Sequence, residues 1–176
     1  MYADKADDIG EKIKHHLQDR NLNDTKGIMA AIDKYLKNAT GSLEGEPDDH
    51  FIRILTAAVV ESALIEIADQ PNNFSLDQDA MQQRAVILKR ILDTKIEREA
   101  QALYAIQALI HKLGHPNKLL HRIFECLYQS DVISYEGFEQ WKKSKNPAER
   151  EGKGVAFKST KKFFTWLREV HPDTDL

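Results

Sequence analysis

The chain has 176 residues, 41% of them hydrophobic, enough to bury one compact core without disulfide or metal staples. A formal net charge of −3 gives the whole molecule no electrostatic pull toward phosphate backbones or anionic lipid, so a nucleic-acid or membrane-surface role would have to be local. The single cysteine, Cys126, excludes an internal disulfide, and no amino-terminal stretch has the basic, apolar, small-residue order of a secretory leader, so a reducing, cytoplasmic setting is expected.

Gly and Pro fall between the periodic runs, and almost no stretch is both β-branched and alternating, which predicts helices joined by short loops. The first two helices are expected over residues 6–20 and 24–38, with Ile9, Ile13 and Leu17 on one face and Ile28, Ile32 and Leu36 on the other. A polar, glycine-containing loop over residues 40–46 follows, and Pro47 suits the first turn of the third helix. The apolar run over residues 51–68 is interrupted by Arg53, Glu61 and Glu66 and reads as a buried helix rather than a membrane span.

Ser75 with Gln78, and Thr94 with Glu97, have the spacing of capping boxes and predict the starts of the fourth and fifth helices. The fifth carries Ile96, Ala100, Leu103, Ile106, Ile110 and Leu113 on one stripe until Gly114 and Pro116 end it. The sixth answers with Leu120, Ile123, Phe124 and Leu127 across a join of two or three residues. The seventh begins at Ser134 and carries Phe138 and Trp141, and the eighth carries Val155, Ser159, Phe163, Trp166 and Val170. Eight helices in four hairpins, each too thin to bury both faces alone, predict an all-α, HEAT-like stack in one domain over 1–176.

The stretch from Leu127 to Trp141 (LYQSDVISYEGFEQW) resembles the first aromatic and acidic box of the two-tryptophan family, and Phe163 to Glu169 (FFTWLRE) resembles the second. The segment from Ser144 to Ser159, and Gln101 to Leu109 upstream, are similar to the initiation factor 4 gamma branch more than to initiation factor 5 or the epsilon subunit of initiation factor 2B. The resemblance implies the carboxy-terminal HEAT-like domain of a translation initiation scaffold, which docks MAP-kinase-interacting kinases near the cap-binding protein. Other branches hold the beta subunit of initiation factor 2. The further HEAT domains of such a scaffold do not fit in this length, so Met1 is expected to open a carboxy-terminal fragment of a larger protein.

The chain departs from the family pattern, because Lys142, Lys143 and Lys145 follow the first box. From Leu127 onward, 9 Lys plus Arg stand against 8 Asp plus Glu, which weakens steering of a basic partner segment. The expected partner-binding set is Tyr128, Asp131, Tyr135, Glu136, Glu139, Trp141, Trp166 and Glu169, rings supplying buried area and carboxylates orientation. Trp141 and Trp166 also lie on amphipathic faces beside Phe138 and Phe163, where core packing is the first reading and ring edges are left to line a groove. The alternative is an RNA contact through Lys142, Lys143, Lys145, Lys153, Lys158, Lys161 and Lys162, although these lack aromatic interleaving.

No residues gather into an activated nucleophile with base and oxyanion donors, so neither catalysis nor a cofactor is expected, and the chain reads as a monomer. His111 and His115 are four apart, as zinc ligands can be, but Gly114 is expected to break the helix between them, and no Glu or Cys completes a set.

Overall fold

The computed structural model describes residues 8, 10–15, 17, 25–40 and 46–172. Residues 10–15 are helical, and Ile13 and Leu17 are buried as their spacing requires. Ile9 and most of the 40–46 loop lie outside the described residues. Helix α1, Thr25–Thr40, buries Ile28 and Ile32 on one stripe, with Leu36 packed at its edge.

Helix α2, Asp49–Ser62, starts one residue after Asp48, whose carboxylate accepts the Phe51 N–H at 2.7 Å. Pro47 therefore precedes the cap instead of occupying the first turn. The apolar run does not continue as helix. Strand β1, Leu64–Glu66, pairs antiparallel with β2, Phe74–Leu76, in the register Leu64 to Leu76, Ile65 to Ser75 and Glu66 to Phe74.

Ser75 thus lies in a strand, and the cap of α3, Gln78–Leu92, is Asp77, which accepts the Ala80 N–H at 3.1 Å. The Asp77 carboxylate, directly before the helix, is in place to accept from its orphan N–H groups, whereas Ser75 is paired with Ile65 in the hairpin. Thr94 fails as a cap for a different reason. It sits at φ 57°, whereas an N-cap needs extended backbone, and α4, Ile96–Lys112, begins after Lys95 with no side-chain cap.

Helix α5, Leu119–Gln129, follows a join over residues 113–118, longer than expected, with Gly114 at φ +77°. Helix α6, Tyr135–Lys143, is capped by Ser134 as its sequence predicts, the hydroxyl accepting the Gly137 N–H at 3.2 Å. A short 3-10 turn, Pro147–Glu149, leads to α7, Lys153–Ser159, and α8, Lys161–Val170.

The expected eighth helix is therefore two. Thr160 is buried, and its hydroxyl donates back to the carbonyls of Ala156 at 2.9 Å and Phe157 at 3.2 Å, a contact that bends helices. The buried stripe is Ala156, Thr160, Phe163, Phe164 and Leu167, while Val155, Ser159 and Val170 are exposed, so the expected face is out of phase at both ends.

Helices α2, α4 and α6 pack side by side in one layer, and α1, α3, α5 and α8 do so in the second, with α7 closing against α4 and α5. From α1 to α6, successive helices alternate between layers. This is an all-α, HEAT-like stack of antiparallel hairpins, and β1 with β2 is its β structure among the described residues. No helix among the described residues is long and apolar enough to cross a membrane.

Candidate partner-binding site

Trp141 is a core residue. It lies on the short helix α6, which packs on α4 and meets Phe124 of α5 through Phe138 and Trp141, and it has 0% of its surface exposed. The indole stacks on Phe164 with centroids 5.9 Å apart and meets Phe124 edge-on at 5.2 Å. A buried indole N–H needs an acceptor, and Nε1 donates to Gln107 Oε1 at 2.9 Å. Gln107, itself buried, turns its amide nitrogen to the backbone carbonyls of Glu149 at 2.9 Å and Glu151 at 2.7 Å.

The segment between the two boxes is thereby strapped onto α4. Arg53 on α2 pairs with Glu149 and donates through Nε to Gln101 at 2.7 Å. Tyr104 donates its hydroxyl to Ser144 at 2.7 Å. Lys153 places its ammonium 4.1 Å above the Trp141 ring and donates to the Trp141 carbonyl. Burial pushes the Lys153 amine down to about 8, with Glu149 opposing.

Trp166 is the opposite case, with 38% of its surface exposed on α8. Its ring stands perpendicular to Tyr128 at 5.3 Å, and Tyr128 shares a 2.7 Å hydrogen bond with the His171 ring. His171 in turn lies over Tyr135, centroids 4.6 Å apart, with Tyr135 almost wholly buried beneath. Of the sequence-named acids, Asp131 sits exposed in the turn after α5 at φ 56°, Glu136 is exposed in the first turn of α6, and Glu169 is exposed three residues beyond Trp166.

The sequence-named residues consequently divide. Tyr128, Tyr135 and Trp166 are linked through ring contacts that include His171, with Asp131 in the turn between the two tyrosines and Glu136 next to Tyr135. Trp141 cannot touch a partner because no part of it reaches solvent, and it shapes the surface from within. Glu139 is not a free acid, since its side chain is 15% exposed and lies 3.3 Å from Lys143 and 3.7 Å from Lys142. Two of the lysine set are engaged within the chain. Lys142 lies over the Phe164 ring beside Glu139, and Lys153 is occupied with Trp141, leaving Lys143, Lys145, Lys158, Lys161 and Lys162 exposed.

Two residues that organise the site were not named from the sequence. Glu99, 2% exposed, accepts the Ser134 N–H at 3.0 Å and its hydroxyl at 2.8 Å, fixing the turn in the middle of the first box. Gly137 makes this approach possible, because a Cβ there would lie 2.4 Å from Glu99 Oε2. Gln107 is the second. Both fall on the helical spacings of the α4 stripe, at 99, 103, 106, 110 and at 100, 103, 107, 110, and that position was the available signal.

The histidine pair also differs from expectation. Helix α4 does end before Gly114, yet the chain turns back so that His111 Nδ1 lies 3.1 Å from His115 Nε2, and His111 Nε2 lies 3.0 Å from Glu151. Burial pushes the His115 imidazole pKa down, and His111 adds to it. No group of three or more His, Cys, Asp or Glu is placed to hold a metal ion among the described residues.

The stacked hairpins and two unequal tryptophans define a class: residues 98–175 match the W2 family, described as eIF4-gamma/eIF5/eIF2-epsilon. Eukaryotic translation initiation factor 4 gamma 3 of Homo sapiens is 48% identical over 125 residues, covering 71% of this chain and 8% of that protein. Eukaryotic translation initiation factor 4 gamma 1 of Mus musculus is 41% identical over 122 residues, covering 69% of this chain and 7% of that protein. Eukaryotic translation initiation factor 4 gamma 2 of Homo sapiens is 28% identical over 87 residues, 49% of this chain and 10% of that protein. The carboxy-terminal part of the chain is a two-tryptophan domain of the translation initiation factor 4 gamma family. The chain spans about 8% of the length of the first of these relatives.

Proposed function

We propose that residues 1–176 form one HEAT-like, monomeric protein-binding domain, the carboxy-terminal part of a larger cytoplasmic scaffold, that docks a MAP-kinase-interacting kinase or the beta subunit of initiation factor 2. The reading requires no cofactor and no catalytic residue. One observation carries it: an exposed Trp166 ring held upright on Tyr128, with exposed carboxylates at Asp131, Glu136 and Glu169, each within three residues of Tyr128, Tyr135 or Trp166 in the chain. A supported aromatic anchor loses little freedom on binding, and surrounding carboxylates orient a basic segment. Within the first box, Lys142 and Lys143 hold Glu139, so Asp131 and Glu136 are the acids that remain for a partner.

The test is capture of the purified kinase and of the beta subunit by the chain, repeated with D131K/E136K/E169K. The expected result is that at least one partner binds the wild type, that the triple variant loses it, and that thermal unfolding of the two proteins coincides. Undiminished capture by the triple variant, or capture of neither partner, overturns the reading. Binding of RNA through Lys158, Lys161 and Lys162, falling steeply with salt while neither protein is captured, would put the lysine alternative in its place.

A further inference from the structure

A cavity of about 400 Å³, with neither tryptophan in its lining, opens between Lys14 and Leu17, the end of α2, the β1–β2 hairpin, α3 and the carboxy-terminal end of α4. Its apolar walls are Leu17, Leu64, Phe74 and Leu113. That volume suits a small ligand and excludes a folded partner.

Arg84 projects into this space from α3 and is 95% buried, being 5% exposed. It donates through Nη1 to the Ser62 hydroxyl at 2.6 Å and through Nη2 to the Leu17 carbonyl at 2.8 Å. Both acceptors are neutral. A guanidinium has five N–H donors, and these bonds use two, so donors remain for an acceptor in the cavity. No carboxylate among the described residues bonds to Arg84.

A second ionic feature lies beside it. Lys14 and Glu61, which also line the cavity, hold each other at 2.9 Å and cancel. Among the described residues the lining therefore carries one net positive charge, buried on Arg84 beside an apolar wall, with Asp77 acting on it but no carboxylate bonded to it. Burying a cation costs free energy that a hydrogen-bonded anion offsets, and arginine binds carboxylates through paired N–H donors.

We propose that this cavity is a binding site for a small organic carboxylate carried on a short apolar stem, the carboxylate paired with Arg84 and the stem lying against Leu64, Phe74 and Leu113. Burial pushes the Arg84 pKa down, with Asp77 opposing, and an occupying carboxylate would act against that penalty. Exchange of the Lys14–Glu61 pair for a single charge should tune the site, since both groups border the same space.

The experiment is a titration of the full chain with hexanoate and, separately, with 1-hexanol, followed by the backbone amide resonances of Ser62, Phe74 and Arg84. Hexanoate should shift these resonances saturably and bind about tenfold more tightly than hexanol, the worth of one charge-assisted pairing. E61Q frees the Lys14 charge and should tighten hexanoate binding, and K14M leaves Glu61 unopposed and should weaken it. R84Q, where it folds, should bind acid and alcohol alike. The proposal fails if hexanoate leaves those resonances unmoved, if hexanol binds as tightly in the wild type, or if E61Q and K14M both bind hexanoate as the wild type does. The wild-type comparison decides the matter even if R84Q does not fold.

Discussion

Glu99 on α4 accepts both the N–H of Ser134, at 3.0 Å, and its hydroxyl, at 2.8 Å, so a buried carboxylate holds the amino terminus of α6 from the neighbouring helix. The placement is favourable on two counts, because carboxylates suit the positive end of a helix dipole and because Ser134 is itself the cap. E99A removes the acceptor and leaves the half-buried Ser134 N–H without a partner. We expect a loss of about 1–3 kcal/mol in urea unfolding. Unchanged stability would mean that water or a relaxed turn replaces the contact.

Gly137 reports on the same contact from the other side. A methyl group there meets Glu99 Oε2 at 2.4 Å, and G137A should destabilise by about 1–3 kcal/mol although alanine favours helix. In the double variant E99A/G137A the carboxylate that the methyl meets is gone and only the Cβ at 99, 3.0 Å away, remains, so the combined loss should be less than the sum of the two separate losses. A double-mutant cycle from four unfolding curves measures the difference, and strict additivity would contradict the proposed clash.

W141F retains an aromatic ring but loses the indole N–H, leaving Gln107 Oε1 buried without its donor. The expected cost is about 1–3 kcal/mol. Because Gln107 also anchors the segment between the boxes, trypsin should cut the variant faster than wild type at the exposed Lys145 and Arg150. Equal cleavage rates would separate the tryptophan from the strap.

The two tryptophans should part company under alanine substitution. W141A empties a site enclosed on every side and should cost about 3–5 kcal/mol, whereas W166A removes a ring with 38% of its surface exposed and should cost far less. Captured partner should show the reverse order, W166A losing binding while still folded. Thermal melts and a pull-down on the same samples settle both halves.

Lys153 gives a pH dependence with a definite sign. Its amine lies at about 8 in the folded chain against an ordinary value of 10.5, because burial opposes the charge. Between those values the unfolded chain keeps the proton that the folded chain has lost, so the stability contribution of Lys153 rises as pH increases through that window. The expected observation is a Lys153 side-chain resonance titrating near 8, with wild type gaining on K153M in urea midpoint from pH 8 to 10.5. A wild type that instead loses ground to K153M would reverse the assignment.

Stripes such as Leu103, Ile106 and Ile110 on α4, or Leu120, Ile123, Phe124 and Leu127 on α5, are visible in the sequence because each is long enough to show a helical period. The β1–β2 hairpin escapes for the converse reason: three residues per strand are too few to show alternation, and they follow an apolar run that continues the period of α2. The eighth predicted helix fails at Thr160, where a side-chain bond to the preceding turn shifts the face without any Gly or Pro to announce it. In the site, Tyr128 and Trp166 were found as aromatic residues near acids, and their arrangement follows. Glu99 and Gln107 were passed over because composition assigns charged and amide side chains to solvent, and only a matching donor on a distant helix brings them inside.

Gln107 grips the inter-box segment through main-chain oxygens, which every amino acid possesses. Lys145, Ala148 and Arg150, whose side chains are exposed, are therefore relieved of holding its course. Substitutions at those three positions should rewrite the charge displayed along one flank while the chain keeps its route, so that selectivity for ligands there can drift independently of folding.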